Sequence, residues 1–211
     1  MRALIASGGD APDKGQFLFW AKDAQLIIGA DSGIDWLLDF GVAPHLMLGD
    51  FDSADPASVA ELQKRQVEKL TVPVEKDDTD TMLAARVAAE RGAQEVILFG
   101  CLGGRLDHSL ANLHVLEWLR QQGINARIAD KDAEIFLVSG DFLLEGAAGE
   151  TVSIFPFMGE TWVTAPEGGF KYPLCKTHMD SVFCGVSNQL LKEKALLHIE
   201  GRAVILRNIG K

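Results

Sequence analysis

Residues 96–129, VILFGCLGGRLDHSLANLHVLEWLRQQGINARIA, carry the clearest fold signal in this chain. The apolar run Val96–Phe99 leads through a glycine-rich loop into the helical pattern Leu110–Gln121, with Gly123 just beyond it. A second apolar run, Ala126–Ala129, follows. Glycine after a helical pattern is typical of a helix end. A strand, a helix and a strand in this order predict parallel strands joined by a right-handed crossover.

The same alternation extends back to the first residues. Apolar runs predict strands at Ala3–Ala6, Leu26–Gly29, Leu46–Leu48 and Leu70–Val74, and amphipathic stretches predict helices at Phe17–Lys22, Ile34–Phe40, Ser58–Gln66 and Thr81–Arg91. Asp55-Pro56 has the composition of an N-cap followed by proline at the first helical position. We therefore predict an α/β domain over residues 1–130, with a doubly wound, mostly parallel sheet and helices on both faces.

The pattern changes after residue 130, where short β-prone segments follow one another between turn residues. These segments are Ile135–Val138, Phe142–Leu144, Thr151–Phe155, Thr161–Thr164, Val182–Phe183, Leu196–Ile199 and Ala203–Arg207. Glu200-Gly201 is predicted to form a tight hairpin turn. Residues 131–211 are therefore expected to form a small all-β sandwich domain.

Composition limits the functional classes. The 211 residues are 47% hydrophobic, as in ordinary globular proteins, and carry a formal net charge of −10. This charge disfavours a sequence-independent grip on nucleic acid. Three cysteines without metal-ligand spacing favour reduced thiols, and neither a signal peptide nor a long apolar run is evident. We expect a cytoplasmic protein with no nucleic-acid or membrane partner.

The predicted strand ends of the first domain carry unusual loops. In a parallel sheet the carboxyl ends of the strands form the usual ligand-binding edge, so these loops should meet there. They are residues 7–10 (SGGD), 30–33 (ADSG), 49–53 (GDFDS), 76–80 (KDDTD) and 100–108 (GCLGGRLDH).

Two aspartates lie in the third of these loops. Asp50 and Asp52 are two residues apart, so in an extended segment their carboxylates point the same way. Such a pair repels unless a cation neutralises it, and aspartate oxygens suit Mg²⁺. Asp80 could complete the site. The alternative is that Asp52, Thr79 and Asp80 only cap helices, but five such loops at successive strand ends favour a shared site.

The loop at residues 100–108 is predicted to bind an anion. Its glycines allow close approach of the backbone, and the following helix offers its first amides. Arg105 can hold a phosphate with its fork of donors. His108 could contact a nucleotide or cap the helix. No G-x-x-x-x-G-K-[ST] motif is present, so a P-loop enzyme is not expected.

Together these motifs resemble the thiamine pyrophosphokinase family. The resemblance rests on the loops at residues 30–33, 49–53, 78–80 and 103–108, and on Gly169–Leu174 and Gly185–Asn188 in the second domain. It implies Mg-dependent transfer of pyrophosphate from ATP to the hydroxyl of thiamine, which releases AMP. It also implies an N-terminal domain that binds ATP and Mg²⁺, a C-terminal β-sandwich and a homodimer with thiamine at the subunit interface.

The resemblance extends to individual positions. Asp50, Asp52 and Asp80 match the family's magnesium-binding acids, with Asp31 close by. Either Asp31 or Asp52 could accept the hydroxyl proton. The remaining assignments are contact with ATP through Lys76, Thr79, Gly103, Gly104, Arg105, Asp107 and His108, and contact with thiamine through Ser187 and Asn188.

Two rival functions are compatible with parts of the sequence. A phosphohydrolase of the haloacid dehalogenase type also uses an Asp-x-Asp motif, but usually after the first strand, whereas Asp50-Phe51-Asp52 follows the third. A non-catalytic sensor of a nucleotide or of thiamine diphosphate has no need for the complete trio Asp50, Asp52 and Asp80. Ser187-Asn188 could also be only a turn.

Overall fold

The computed structural model describes residues 1–71 and 78–209. The chain forms two compact units, Met1–Lys131 and Asp132–Lys211. The first unit contains a parallel sheet whose strands pair in the order β6, β5, β1, β2, β3 and β4. These strands are β1 (Arg2–Ala6), β2 (Leu26–Ala30), β3 (Leu46–Gly49), β4 (Glu68–Thr71), β5 (Glu95–Phe99) and β6 (Asn125–Ala129).

Helices cover both faces of this sheet, as predicted. They are α1 (Lys14–Ala21), α2 (Gly33–Asp39), α3 (Pro56–Lys64), α4 (Asp80–Glu90) and α5 (Leu106–Gln121). Phe17 of α1 and Trp36 of α2 pack together with Leu4 and Phe99 of the sheet. Helix α3 joins the same side through Leu62, while α4 and α5 pack against each other and onto the sheet.

Strand order explains why ligand-binding loops meet in this unit. From β1 the chain proceeds to the neighbouring β2, whereas from β5 it proceeds to β6 on the other side. The loops after β1 and β5 therefore diverge at a topological switch point, where open α/β sheets form their binding crevice. Gly9 N donates to Gly100 O at 2.8 Å, which ties these two loops together.

The starts of helices α3, α4 and α5 can be compared with those predicted from the sequence. The Asp55 carboxylate accepts from Ala57 N at 2.8 Å and Pro56 opens α3, so the predicted N-cap is confirmed. Thr79 caps α4 by accepting from Met82 N. Helix α5 begins at Leu106, one turn before its predicted start, with Arg105 as an N-cap residue that makes no side-chain capping bond.

The second unit is antiparallel and is dominated by two long strands. β12 (Lys194–Asn208) pairs with β7 (Ala133–Glu145) along most of its length, with a register shift between Ile199 and Ala203. The first half of β12 also pairs with β9, and its second half pairs with β8. The remaining strands are β8 (Thr151–Pro156), β9 (Thr161–Thr164), β10 (Thr177–Met179) and β11 (Gly185–Gln189).

The predicted hairpin at Glu200-Gly201 is wrong. Gly201 lies within β12 at the register shift, with φ +99°, and Gly140 of β7 also has a positive φ. At these points both strands bend instead of reversing, and the two halves of the bent sheet face each other. Their inner residues, such as Leu197 from the first half and Ile205 from the second, form one buried cluster. The unit is thus a β-sandwich made from continuous strands.

One further strand prediction is wrong, and two strands of the second unit, β10 and β11, were not predicted. Val182–Phe183 is a loop, in which Asp180 Oδ1 accepts from both backbone amides at 2.8 Å. Strand β10, which the sequence pattern did not indicate, precedes this loop and pairs with β9. Because the Asp180 side chain already accepts from the amides of Val182 and Phe183, these two residues do not pair with a neighbouring strand.

Candidate active site

A cavity of about 440 Å³ opens at the carboxyl edge of the parallel sheet, within the first unit. Every predicted loop that the structure describes contributes to its wall. Its lining residues are Ser7, Gly8, Gly9, Ala30, Asp31, Ser32, Asp50, Asp52, Ser53, Thr79, Asp80, Thr81, Gly100, Cys101, Gly103, Gly104, Arg105, His108 and Asn112. Lys76 lies outside the described residues.

Three aspartates form an acidic cluster in this cavity. One carboxylate oxygen from each of Asp31, Asp50 and Asp52 lies within 4.8 Å of the other two. Asp31 follows β2 with φ +50°, and its backbone N donates to Leu48 O at 2.8 Å. This bond fixes the loop after β2 beside the loop after β3, so that residues distant in sequence share one site.

The convergence of Asp50 and Asp52 has a different cause from the one expected. The segment is not extended, because Phe51 adopts φ +63° directly after the end of β3. The backbone N of Asp52 donates to Asp50 Oδ1 at 3.1 Å, which closes a tight turn. Phe51 packs against the apolar cluster that contains Met47 and Leu62. Burial of this ring offsets the strain of the left-handed conformation.

Asp80 is placed by helix α4, of which it is the first residue. One of its oxygens lies 3.4 Å from where a Cβ on Gly49 would be, at the end of β3. Thr81 is tied to the loop after β1 by a 2.9 Å hydrogen bond between its hydroxyl and that of Ser7. Asp80 thus stands at the border of the acidic cluster.

Burial and neighbouring negative charges make the ionised form of Asp31 unfavourable. Burial raises the pKa of Asp31, the charges of Asp80 and Asp50 raise it further, and the hydrogen bond donated by Ser53 opposes the rise. Ser53 Oγ donates to Asp31 Oδ2. Asp31 Oδ1 is buried and has no hydrogen-bond partner among the described residues.

These observations fit a hard divalent cation. The donor set consists of carboxylate oxygens, which Mg²⁺ and Ca²⁺ prefer. A buried carboxylate oxygen without a partner is costly, and a cation would satisfy it. The sequence predicted Asp50, Asp52 and Asp80 as ligands, whereas the tightest group contains Asp31, with Asp80 beside it.

The glycine-rich loop after β5 also lines the cavity. Gly100, Gly103 and Gly104 all have positive φ. A side chain on Gly9 would approach Gly100 O and Leu102 O within 2.5 and 2.6 Å, so the loops after β1 and β5 can pack this closely only without one. Gly100, Gly103 and Gly104 line the same cavity as the acidic cluster and His108 of α5, and a glycine-rich loop before the start of a helix suits an anion.

Arg105, which lines the cavity, forms an exposed ion pair with Asp107. Arg105 Nη2 lies 2.6 Å from Asp107 Oδ2, and Nε donates to Oδ1 at 3.2 Å. The hydrogen bond between them raises the pKa of Arg105 and lowers that of Asp107. Arg105 lines the cavity while its fork engages a carboxylate, which is the geometry that a phosphate would also accept. His108 lines the cavity from the first turn of α5.

Ser187 and Asn188 lie in β11 of the second unit and have unlike environments. Ser187 is exposed and has φ +58°. Asn188 is only 6% exposed. Its amide accepts from Tyr172 N at 2.9 Å and donates to Tyr172 O at 2.8 Å. Asn188 thus fixes the backbone of the segment that carries Tyr172, while Ser187 presents the accessible polar group.

Several lining residues were not assigned a role from the sequence. Ser53 bonds Asp31, and the Asn112 amide donates to Cys101 O at 2.8 Å. The position of Ser53 directly after the Asp-x-Asp pair could have indicated a role in the site. Asn112 gives no such indication, because it is one polar residue within a helical pattern. Burial raises the pKa of Cys101 to about 12, so this thiol stays protonated and is not a nucleophile.

Comparison with known proteins identifies relatives of the whole chain. Residues 18–128 match the family model for the catalytic domain of thiamin pyrophosphokinase. Thiamine pyrophosphokinase of Bacillus subtilis strain 168 is 33% identical over 202 residues, which cover 90% of each chain.

Solved structures agree with this result. The crystal structure of thiamine pyrophosphokinase from Bacillus subtilis superposes with a TM-score of 0.89 at 28% identity and covers all of both chains. That of thiamin pyrophosphokinase from Geobacillus thermodenitrificans gives a TM-score of 0.82 at 29% identity, over 99% of this chain and 97% of the other. The family model spans more than half of the 211 residues, and the superposition on the Bacillus subtilis structure covers all of this chain. The chain therefore belongs to the thiamin pyrophosphokinase family.

Proposed function

We propose that this protein transfers the terminal pyrophosphoryl group of ATP to the hydroxyl of thiamine, which yields thiamine diphosphate and AMP. The observation that carries the proposal is the meeting of the acidic cluster with a glycine-rich anion cradle in one cavity, on a family catalytic domain. In this reaction a bond forms between the thiamine oxygen and the β-phosphorus. The bond from that phosphorus to the oxygen bridging to the α-phosphate breaks.

Kinase activity in this family generally needs a divalent metal, and we propose Mg²⁺. Asp31, Asp50 and Asp52 would hold it, with Asp80 as a further carboxylate at the border. A bound Mg²⁺ supplies positive charge that neutralises phosphate oxygens and favours departure of AMP. The protein contributes a fixed set of oxygens, because the turns at Asp31 and Phe51 hold the ligands in place before any substrate binds.

The anion cradle accounts for binding of the phosphates. Amides of Gly103 and Gly104 and the start of α5 favour negative charge, and Arg105 exchanges the Asp107 carboxylate for a phosphate. Lys76, Thr79 and His108 complete the proposed ATP contacts. Such positioning and electrostatics carry most of the catalysis in phosphoryl transfer, so no covalent nucleophile is required.

The hydroxyl proton of thiamine needs an acceptor, and two carboxylates are suitably placed. Asp52 is exposed at the cavity, whereas Asp31 is half-buried and has a raised pKa. A raised pKa makes a carboxylate a stronger base, as long as the pH keeps it ionised. Because a carboxylate bound to the cation is a poor base, the acceptor would be whichever of the two does not hold the metal during the reaction. The pH profiles of the residual activity of Asp31→Asn and Asp52→Asn distinguish them: the substitution that removes the base abolishes the acid limb.

We propose that the second unit binds thiamine and joins two subunits as a homodimer. Ser187 is the accessible hydrogen-bonding group there, and Asn188 supports the Tyr172 segment beside it. Sedimentation equilibrium of the intact protein tests the dimer, for which a strictly monomeric chain is the contrary result.

We also propose a cytoplasmic location without nucleic-acid partners, consistent with the net charge of −10. Within residues 1–71 and 78–209, no helix has the length and apolarity needed to cross a membrane.

Product analysis tests the proposed reaction. The protein is incubated with ATP, MgCl₂ and thiamine, and nucleotides and thiamine esters are separated. Equal amounts of AMP and thiamine diphosphate are expected. Release of inorganic phosphate, with an aspartyl-phosphate at Asp50, would indicate a phosphohydrolase instead. Binding without turnover would indicate a sensor.

A further inference from the structure

The segment that leads into α4 carries an ion pair outside the cavity wall. Asp78 lies two residues before Asp80, and its Oδ2 accepts from Arg86 Nε at 2.8 Å. Arg86 is on α4 itself, about one and a half turns beyond Asp80. The ion pair therefore ties the chain entering the helix to the body of that helix.

Arg86 has a second contact that fixes its direction. Its guanidinium carbon lies 4.9 Å from the centre of the Trp118 ring, which belongs to α5. A guanidinium at this distance over an indole is attracted to the ring face. Arg86 is thus held between Trp118 and Asp78. Through Arg86, Asp78 is fixed relative to both α4 and α5.

The position of Asp80 depends on the same segment. Thr79 separates the two aspartates and caps α4 through Met82 N at 3.2 Å. Asp31 Cα and Asp80 Oδ1 lie 3.3 and 3.4 Å from the position that a Cβ on Gly49 would take, so Asp80 is held close to the other carboxylates despite their mutual repulsion. A restraint on Asp78 opposes a drift of Asp80 away from the cluster.

We propose that Arg86 is a positioning residue for the metal site: through Asp78 it holds Asp80 beside Asp31. This inference rests on the proposed function in requiring that the acidic cluster bind a divalent cation. Arg86 and Asp78 keep 40% and 33% of their side chains exposed, so the pair contributes little to overall stability. We therefore expect the Arg86–Asp78 pair to affect the geometry of the metal site more than the free energy of unfolding.

Electrostatics and positioning predict opposite effects for the loss of Arg86. Removing a positive charge near an acidic cluster should tighten binding of a cation through space. Releasing Asp80 should weaken binding. The direction of the change therefore separates the two explanations.

The test is a titration of Mn²⁺ into metal-free protein, followed by electron paramagnetic resonance without ATP or thiamine. For Arg86→Gln we expect affinity to fall roughly three- to tenfold, the range of one exposed ion pair plus one cation–π contact. Arg86→Lys keeps the charge and should recover part of the affinity. Circular dichroism melts of both variants verify that they fold.

Arg91→Gln is the matched control. Arg91 follows the last residue of the same helix and pairs with Glu68, so its loss removes the same charge without touching Asp78. This variant should bind Mn²⁺ as the wild type does. Equal or tighter binding by Arg86→Gln would overturn the proposal, as would equal weakening in both glutamine variants. A wild-type protein that binds no Mn²⁺ would remove the metal site of the proposed function and the positioning role with it.

Discussion

Neutralising Asp52 should stabilise the metal-free protein while removing activity. Two unit charges at most 4.8 Å apart repel by roughly 0.9 kcal/mol at the dielectric constant of water. Asp52 has two such neighbours, Asp31 and Asp50, so Asp52→Asn relieves about 2 kcal/mol before screening and about 1 kcal/mol in ordinary salt. For a chain of this length that corresponds to an unfolding midpoint higher by about 2–4 °C.

The catalytic activity of Asp52→Asn should fall, although its stability without metal rises. The loss of one preorganised electrostatic group typically lowers kcat by about 10²–10³. Excess Mg²⁺ should also reverse the order of stability, because a ligand at a hundred times its Kd stabilises the native state by about 2.7 kcal/mol. Only the wild type is expected to gain this increment in full.

The assay pairs calorimetric melts in EDTA and in MgCl₂ with steady-state kinetics. Asp23→Asn is the control, since the Asp23 side chain is 81% exposed and, among the described residues, forms only a long ion pair of 3.9 Å with Arg2. That variant should change neither the midpoint nor kcat appreciably. If Asp52→Asn melted below the wild type in EDTA, or turned over normally, the reasoning about the acidic cluster would be refuted.

Four further predictions concern Arg105, the surroundings of Asp31 and the second unit. Arg105→Lys keeps the charge but loses the fork, so KM for ATP should rise while thiamine binding, measured by calorimetry, stays unchanged; unchanged ATP kinetics would contradict this. Ser53→Ala removes the hydrogen bond that lowers the pKa of Asp31, so in the metal-free protein the Asp31 carboxyl carbon, followed by ¹³C NMR, should titrate at a higher pH than in the wild type; an unchanged or lower titration would contradict it. Stability contributed by Asp31 in the metal-free protein should fall as pH rises from its ordinary pKa through its raised folded pKa, since the folded state binds the proton more tightly. Asn188→Leu leaves the Tyr172 amide and carbonyl unpaired and should cost about 1–3 kcal/mol in denaturant unfolding; a neutral result would show that water replaces the amide.

Much of the first unit could be predicted because local signals and tertiary structure agree there. Most apolar runs became largely buried strands, and glycines such as Gly123 mark helix ends. The exception is the predicted run Leu70–Val74: β4 is exposed, and residues 72–74 lie outside the described residues. Its first five predicted strands pair in parallel, and the loops that follow them meet by topology alone. The grouping of site residues thus followed from strand order.

The second unit was harder because its strands are long and bent. A glycine within a strand and a glycine in a hairpin have the same sequence signature, so Gly201 predicted a turn where the chain only bends. Whether the chain reverses depends on its partners β8 and β9, which are distant in sequence. Asn188 illustrates the same limit, since its role follows from the backbone of Tyr172, 16 residues away.

The finer geometry of the site also required the structure. The turn at Phe51 depends on burial of its ring against Met47 and Leu62, which no local pattern reveals. Arg86 is one arginine within a helical pattern, and its contacts with Asp78 and with the half-buried ring of Trp118 follow from the packing of α4 against α5.

The most direct test of the central claim follows the label of ATP carrying ³²P at the γ position. If the cavity transfers pyrophosphate as a unit to thiamine, all transferred label appears in thiamine diphosphate and AMP is formed in equal amount. Thiamine monophosphate carrying the label, or label released as inorganic phosphate, would contradict the account.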